Sequence, residues 1–425
     1  MARNANPSYT GAPMKIDVDP VPIRVPGFRF AGVACGLKES GNRDVAVIAS
    51  AVPAIAAAAF TTNRVQAAPV VLGRPRAAAG RLQAIVVNSG NANAYTGRDG
   101  LATAHAMCRT AARALAIPET LVLPSSTGRI GVPPPREQLC RGVEAACAAL
   151  SPDGFHDALA GIMTTDAFPK FAAETLLIGD REVTVAGMAK GAGMIAPRVL
   201  LAGRPVPTHA TTLAYVLSDA AVSVAALRRA LQAALPQSFN AIVVDGDTST
   251  NDTVAVLANG LAANPSLSAS SREFPELCGA VVRVLQNLAR KIVKDGEGAT
   301  KVIDIRVHGA KTRRDAERVA DAIARSPLCK AAFFGGDPYT GRIVCAAGYS
   351  GATFDPAKLD VYLDDVQVVR GGREIVTRVE RAAAAVVQRP EFTLTLHLHA
   401  GHAIAHRMAA DLTLDYVKFN SDYRT

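Results

Sequence analysis

The chain has 425 residues, 49% hydrophobic and 20% charged, with 34 glycines and 25 prolines, which excludes a disordered chain or a fibre and implies two lobes or one large layered domain. The formal charge of +9 would suit nucleic acid, but Lys and Arg are scattered and not interleaved with stacking aromatics, so small anionic substrates are the better match. Seven cysteines (Cys35, Cys108, Cys140, Cys147, Cys278, Cys329, Cys345) without a C-x-x-C pair argue against a disulfide scaffold or zinc ribbon; with no secretion signal and no membrane span of about 20 apolar residues, a cytoplasmic protein whose reduced thiols mostly fill core space is expected.

After a polar, Pro-rich arm, Phe28 to Ala51 alternates apolar runs around Lys38-Glu39-Ser40-Gly41-Asn42, the pattern of a hairpin. The Ala-rich stretch Ala51 to Thr61 predicts a short helix. Leu82 to Val87 is a buried strand that runs into a polar loop, and Gly100 to Ala116 has helical spacing. Thr120 to Leu123 is a strand entering Pro124-Ser125-Ser126-Thr127-Gly128, a loop that cannot be helical. Arg136 to Leu150 and Gly154 to Met163 are helices, and strands follow at Thr175 to Ile178 and Glu182 to Ala186. Further strands at Leu213 to Leu217, Ala241 to Val244, Lys301 to Val307 and Leu394 to Leu398, with helices Pro275 to Val293 and Arg314 to Ala324 between them, give a mixed α/β class with layered sheets. The Pro-rich segment Ala202 to Thr208 has the composition of a linker.

The informative centre is Gly187-Met188-Ala189-Lys190-Gly191-Ala192-Gly193-Met194-Ile195, followed after a gap by Ala210-Thr211-Thr212-Leu213. Glycines flanking Lys190 let the backbone approach a ligand while the ammonium meets a carboxylate, although for such a loop taken by itself a structural turn is the better explanation. It is not a phosphate-binding loop, because Lys190 precedes most of the glycines and no hydroxyl follows it.

With Asn88-Ser89-Gly90-Asn91-Ala92-Asn93-Ala94, Pro124 to Gly128, Thr164-Thr165-Asp166, Val244 to Asp252, Glu297-Gly298-Ala299-Thr300-Lys301 and the terminal Tyr416-Val417-Lys418 with Asn420, the chain resembles, end to end, the ornithine acetyltransferase family of arginine biosynthesis. The resemblance implies a layered α-β-β-α sandwich of mixed sheets with helices outside, plus a smaller C-terminal lobe. It implies self-cleavage between Ala210 and Thr211 into an α chain of residues 1–210 and a β chain of residues 211–425, two such αβ units associating. The freed Thr211 would be the nucleophile, its α-amino group, with a pKa near 8, serving as base. Thr127 and Gly128 would donate to the oxyanion, where the alternative for Thr127 is a turn cap. Thr164, Lys190, Thr211, Glu297, Asn420 and Thr425 would bind substrate: Lys190 the carboxylate, Glu297 the α-amino group or side-chain ammonium, although Glu297 beside Lys294 also suits a solvated charge. N-acetylornithine, glutamate and ornithine are the substrates implied, with no cofactor, acetyl-CoA as an additional donor, and neither nucleic acid nor membrane as partner.

The sequence departs from that family at Val199 to Thr208, which has the look of an insertion, at His209, and at Thr212, a second hydroxyl that offers an alternative nucleophile register. The alternatives are an amidase or acyltransferase of a specialised pathway, motivated by that insertion, and an uncleaved amino-acid-binding homologue. His402 and His406 would share a helical face; with only Asp411 close behind them, structural or surface histidines are expected rather than a metal site.

Overall fold

The computed structural model describes residues 22–202 and 212–422, and the side chains of residues 376–378 are outside it. Ala210, Thr211 and Thr425, and the Pro-rich segment from Gly203 onward, lie outside the described residues.

The spine is Val45–Phe60, a strand of 16 residues. Its first half pairs antiparallel with Phe28–Val33 and Arg81–Asn91, and the latter pairs parallel with Val122–Arg129. Its second half pairs antiparallel with Thr253–Ala258, after which come Leu213–Ser218, Arg181–Lys190 and Lys170–Ile178. The register with Arg81–Asn91 shifts between Ala49 and Ala54, as a bulge that bends a strand would do.

The two halves face each other. Phe28, Phe30, Ile48, Ile85 and Val87 from the first share one core with Phe60, Met188, Tyr215 and Leu257 from the second. On the outer faces, Val47, Val86 and Val122 pack beneath the helices Gly97–Leu115 and Arg136–Ala148, while Val185, Val216 and Val256 pack beneath Val224–Ala234 and Phe274–Lys294. The expected α-β-β-α sandwich is therefore present, its central strands buried on both sides by their alternating residues while the edge strand Lys170–Ile178 stays partly exposed. The helix Phe274–Lys294 commits Leu277, Val281, Val284, Leu288 and Ile292 to the sheet, tolerates Pro275 in its first turn and ends on Lys291 and Lys294.

The expected helix over Ala51 to Thr61 is instead part of the spine. Alanines 54 and 56 to 59 are all buried there, and small side chains let the layers on both sides approach, so ladder bonds on two edges outweigh alanine's helix preference. Pro124 to Gly128 is likewise strand rather than loop.

A second, seven-stranded sheet forms the C-terminal lobe, ordered Arg373–Glu374, Val366–Arg370, Asp360–Leu363, Glu391–His397, Val302–Ala310, Ala403–Ala410, Ile242–Val243. Ile303, Ile305, Leu394 and Leu396 on one face bury Val319, Ile323, Phe333 and Val386 from the helices. His406 lies on Ala403–Ala410, a strand and not the helix expected for it, and His402 just precedes it. Of the thiols, Cys108 and Cys329 are buried in the core and the half-buried Cys35, Cys147 and Cys278 pack against it, as expected, while Cys140 is half-buried and Cys345 exposed. No helix among the described residues is long and apolar enough to cross a membrane.

Candidate active site

Thr127, Gly128, Thr164, Lys190, Glu297 and Asn420, scattered over the sequence, line one cavity of about 740 Å³. The sandwich brings them together at strand ends. Lys190 closes Arg181–Lys190 and is the register partner of Leu213, two residues beyond Thr211 in the chain.

Thr127 and Gly128 end the Val122–Arg129 strand, paired with Ser89 and Gly90. Gly128 has φ +124°, and a Cβ there would stand 2.4 Å from the Gly90 carbonyl carbon, so only glycine fits. Thr127 caps no turn: its side chain is buried and its hydroxyl oxygen accepts from Lys190 Nζ at 3.1 Å. Asn251 Nδ2 donates to the carbonyls of Ser126 and Ala92, and Ser126 Oγ donates to Asn88 Oδ1 at 2.6 Å. Three side-chain hydrogen bonds thus tie this strand end to the segments that carry Asn88, Ala92 and Asn251.

Glu297 is 8% exposed, which rules out a solvated charge. Its Oε1 accepts from Thr165 Oγ1 at 2.7 Å and its Oε2 from Asn420 Nδ2 at 3.1 Å, while its own amide donates to Ala192 O. Gly193 lies against it, since a Cβ there would come within 2.5 Å of the carboxylate carbon. Thr164 supplies its amide to Asp166 Oδ2; Thr165, its neighbour, is the one that reaches Glu297.

Behind these groups stands a buried ion cluster that the sequence did not disclose. Lys170 Nζ donates to Asp166 Oδ1 at 2.5 Å and to Asp295 Oδ2, with all three side chains almost wholly enclosed. Asp166 also accepts from the amides of Thr164 and Gly191, and Asp295 from that of Ala167. The cluster therefore ties together the segments that carry Thr164, Lys190 and Glu297. Burial alone would raise the Asp166 carboxyl, but Lys170 and Lys190 hold it well below the usual carboxylate range. Burial raises Asp295 to about 6 against the pull of Lys170. Burial also lowers the Lys190 ammonium, opposed chiefly by Asp166.

Two more carboxylates were named only as parts of a motif. Asp245 accepts from the amides of Met194, Ile195 and Asp247, holding the glycine-rich loop, and burial raises it to about 6. Asp252 is fully buried with neither oxygen hydrogen-bonded among the described residues, and burial raises it well above the usual range despite Lys190. It precedes Thr253, the register partner of Leu213, so Asp252 and Thr212 sit side by side, and the Thr212 hydroxyl is equally without a partner among the described residues.

The sequence profile of the ArgJ family matches residues 29–425. Curated relatives include the arginine biosynthesis bifunctional protein ArgJ of Symbiobacterium thermophilum, 51% identical over 94% of this chain and 97% of the relative, and that of Geobacter sulfurreducens, 46% identical over 95% and 100%. Among solved structures, the arginine biosynthesis bifunctional protein argJ of Bacillus halodurans aligns with 36% identity over 48% of this chain and 96% of that one, at a TM-score of 0.46. The chain belongs to the ArgJ family.

Proposed function

We propose that this chain is an acetyltransferase of arginine biosynthesis, carrying acetyl from N-acetylornithine to glutamate as an ester on Thr211. The observation that carries the proposal is the pairing, in one cavity, of a buried ammonium (Lys190) and a buried carboxylate (Glu297) beside the Thr127–Gly128 strand end. Such a site recognises a zwitterionic amino acid and offers donors to a tetrahedral oxyanion.

In the precursor, Thr211 Oγ attacks the Ala210 carbonyl, the C–N bond breaks as the acyl group moves to the oxygen and frees the Thr211 α-amine, and water then hydrolyses the ester to the Ala210 carboxylate and the Thr211 hydroxyl. That amine then takes the hydroxyl proton as Thr211 Oγ attacks the acetyl carbonyl. The Thr127 and Gly128 donors meet the oxyanion, a contribution of about 3 to 4 kcal/mol for one donor. The proton passes to the departing ornithine nitrogen, and the glutamate amine then attacks the ester by the reverse sequence. Acetyl-CoA would load the same ester, and no cofactor enters the scheme. Lys190 and Glu297 hold the amino acid at either end, with Asn420 and Thr164 alongside and Thr425 completing the site from the tail.

The α and β chains, 1–210 and 211–425, remain one fold because Leu213–Ser218 lies between Thr253–Ala258 and Arg181–Lys190. A pair of αβ units is the expected assembly. N-acetylornithine with an isotope in its acetyl group tests the scheme: label should appear in N-acetylglutamate with parallel-line ping-pong kinetics. Label in acetate alone would make the protein an amidase, and no turnover of any kind would leave an amino-acid-binding protein.

A further inference from the structure

The reaction asks one cavity to receive, in alternation, an amino acid with a cationic side chain and one with an anionic side chain. Lys190 serves the α-carboxylate common to both, and Glu297 suits the ammonium of ornithine. The same carboxylate repels the side chain of glutamate, so a second cation is needed.

Lys38 is placed for that task. It lines the cavity with Lys190 and Glu297, and its stem lies against Gly90, the register partner of Gly128: a Cβ on Gly90 would be 3.2 Å from Lys38 Cγ. Its ammonium donates to the carbonyls of Arg43 at 2.6 Å and Met163 at 2.7 Å, which leaves one of its three N–H bonds for a ligand. The segment that carries it is pinned by the buried Asp44 carboxylate, which accepts from the amides of Cys35, Gly36, Leu37 and Lys38. Preorganisation of that kind is wasted on a solvated surface lysine. Burial lowers the Lys38 ammonium to about 8, so it gains from an arriving carboxylate. Arg129 also lines the cavity, but it is exposed at the rim.

We infer that Lys38 is the specificity residue for the acidic acceptor, receiving the side-chain carboxylate of glutamate while Lys190 holds the α-carboxylate. This rests on the acetyl-transfer reading, and the assay separates the two. With N-acetylornithine as donor, transfer is measured into glutamate and, as exchange, into isotope-labelled ornithine. In Lys38→Met, kcat/KM for glutamate should fall at least tenfold, through KM, while that for ornithine falls less than threefold; Lys38→Arg should recover part of the loss. If Lys38→Met fails to fold, Lys38→Gln, whose amide still reaches a carbonyl, is read the same way. Equal losses for both acceptors, no loss for either, or a glutamate-specific loss in Arg129→Ala instead would overturn the role of Lys38. Wild type that exchanges no ornithine would overturn the reading beneath it.

Discussion

Thr165 Oγ1 donates to Glu297 Oε1 at 2.7 Å across 132 residues of sequence, joining a loop of the sandwich to the segment that enters the C-terminal lobe. With Asn420 on the other oxygen, the carboxylate is aimed by donors from two distant segments. Thr165→Val keeps the volume and removes the donor. A hydrogen bond to a charged group is worth about 1.5 to 3 kcal/mol. Ornithine exchange should therefore show KM raised about tenfold or more by the same scale, with the thermal midpoint little altered. An unaltered KM would mean that Glu297 needs no such aiming.

Gly193→Ala acts on the same carboxylate by steric means. Its Cβ would overlap Glu297, which Thr165 and Asn420 hold in place. Because a side-chain terminus can give way where backbone cannot, the fold should survive and the site should not. Activity should fall at least tenfold with a native circular-dichroism spectrum; wild-type turnover would show that Glu297 is free to move.

Removing Lys170 leaves Asp166 and Asp295 without the cation that lies between them. Breaking a buried pair from one side costs about 3 to 5 kcal/mol, so Lys170→Met should lower the unfolding free energy measured in urea by that amount. Adding Asp295→Asn should restore part of it, because one buried charge then disappears. Strictly additive losses in the double variant would argue against a coupled cluster.

Asp245 gives stability a pH dependence of defined sign. Its folded value of about 6 exceeds the unfolded value of about 3.9, so its contribution is complete below the latter and lost as pH rises through the former. The loss is at most about 3 kcal/mol, and Asp295, also raised to about 6, acts in the same direction. Asp245→Asn lacks this slope whatever it does to absolute stability. Urea unfolding from pH 4 to pH 7 should show the wild type losing ground to the variant, and a gap constant with pH would contradict the assignment.

Much of the fold can be read from apolar patterning: Glu182 to Ala186 and Leu213 to Leu217 fall inside strands of the sandwich, and Lys301 to Val307 overlaps Val302–Ala310 of the C-terminal lobe. Ala51 to Thr61 could not be, because alanine has no β-branched signature and its strand state comes from neighbours on both edges. At the site, Thr127, Gly128, Lys190 and Glu297 were reached through motifs. Thr165 and Asp166 stood in those motifs without roles. Lys38 stood in the expected hairpin turn, and Lys170 carried no signal beyond an acidic residue four positions before it. The roles of Thr165, Lys38 and Lys170 come from contacts that span 125 residues or more, with Glu297, Met163 and Asp295, and that of Asp166 from its bond to the amide of Gly191, none of which a periodicity encodes.

Intact-mass analysis of purified wild type beside Thr211→Ala and Thr212→Ala, before and after mixing with N-acetylornithine, tests the central claim most directly. The account predicts two fragments divided at Ala210-Thr211, a β chain that gains one acetyl group, and loss of both in Thr211→Ala but not in Thr212→Ala. A single uncut chain in every sample, or an acetyl group carried on any other residue, would contradict it.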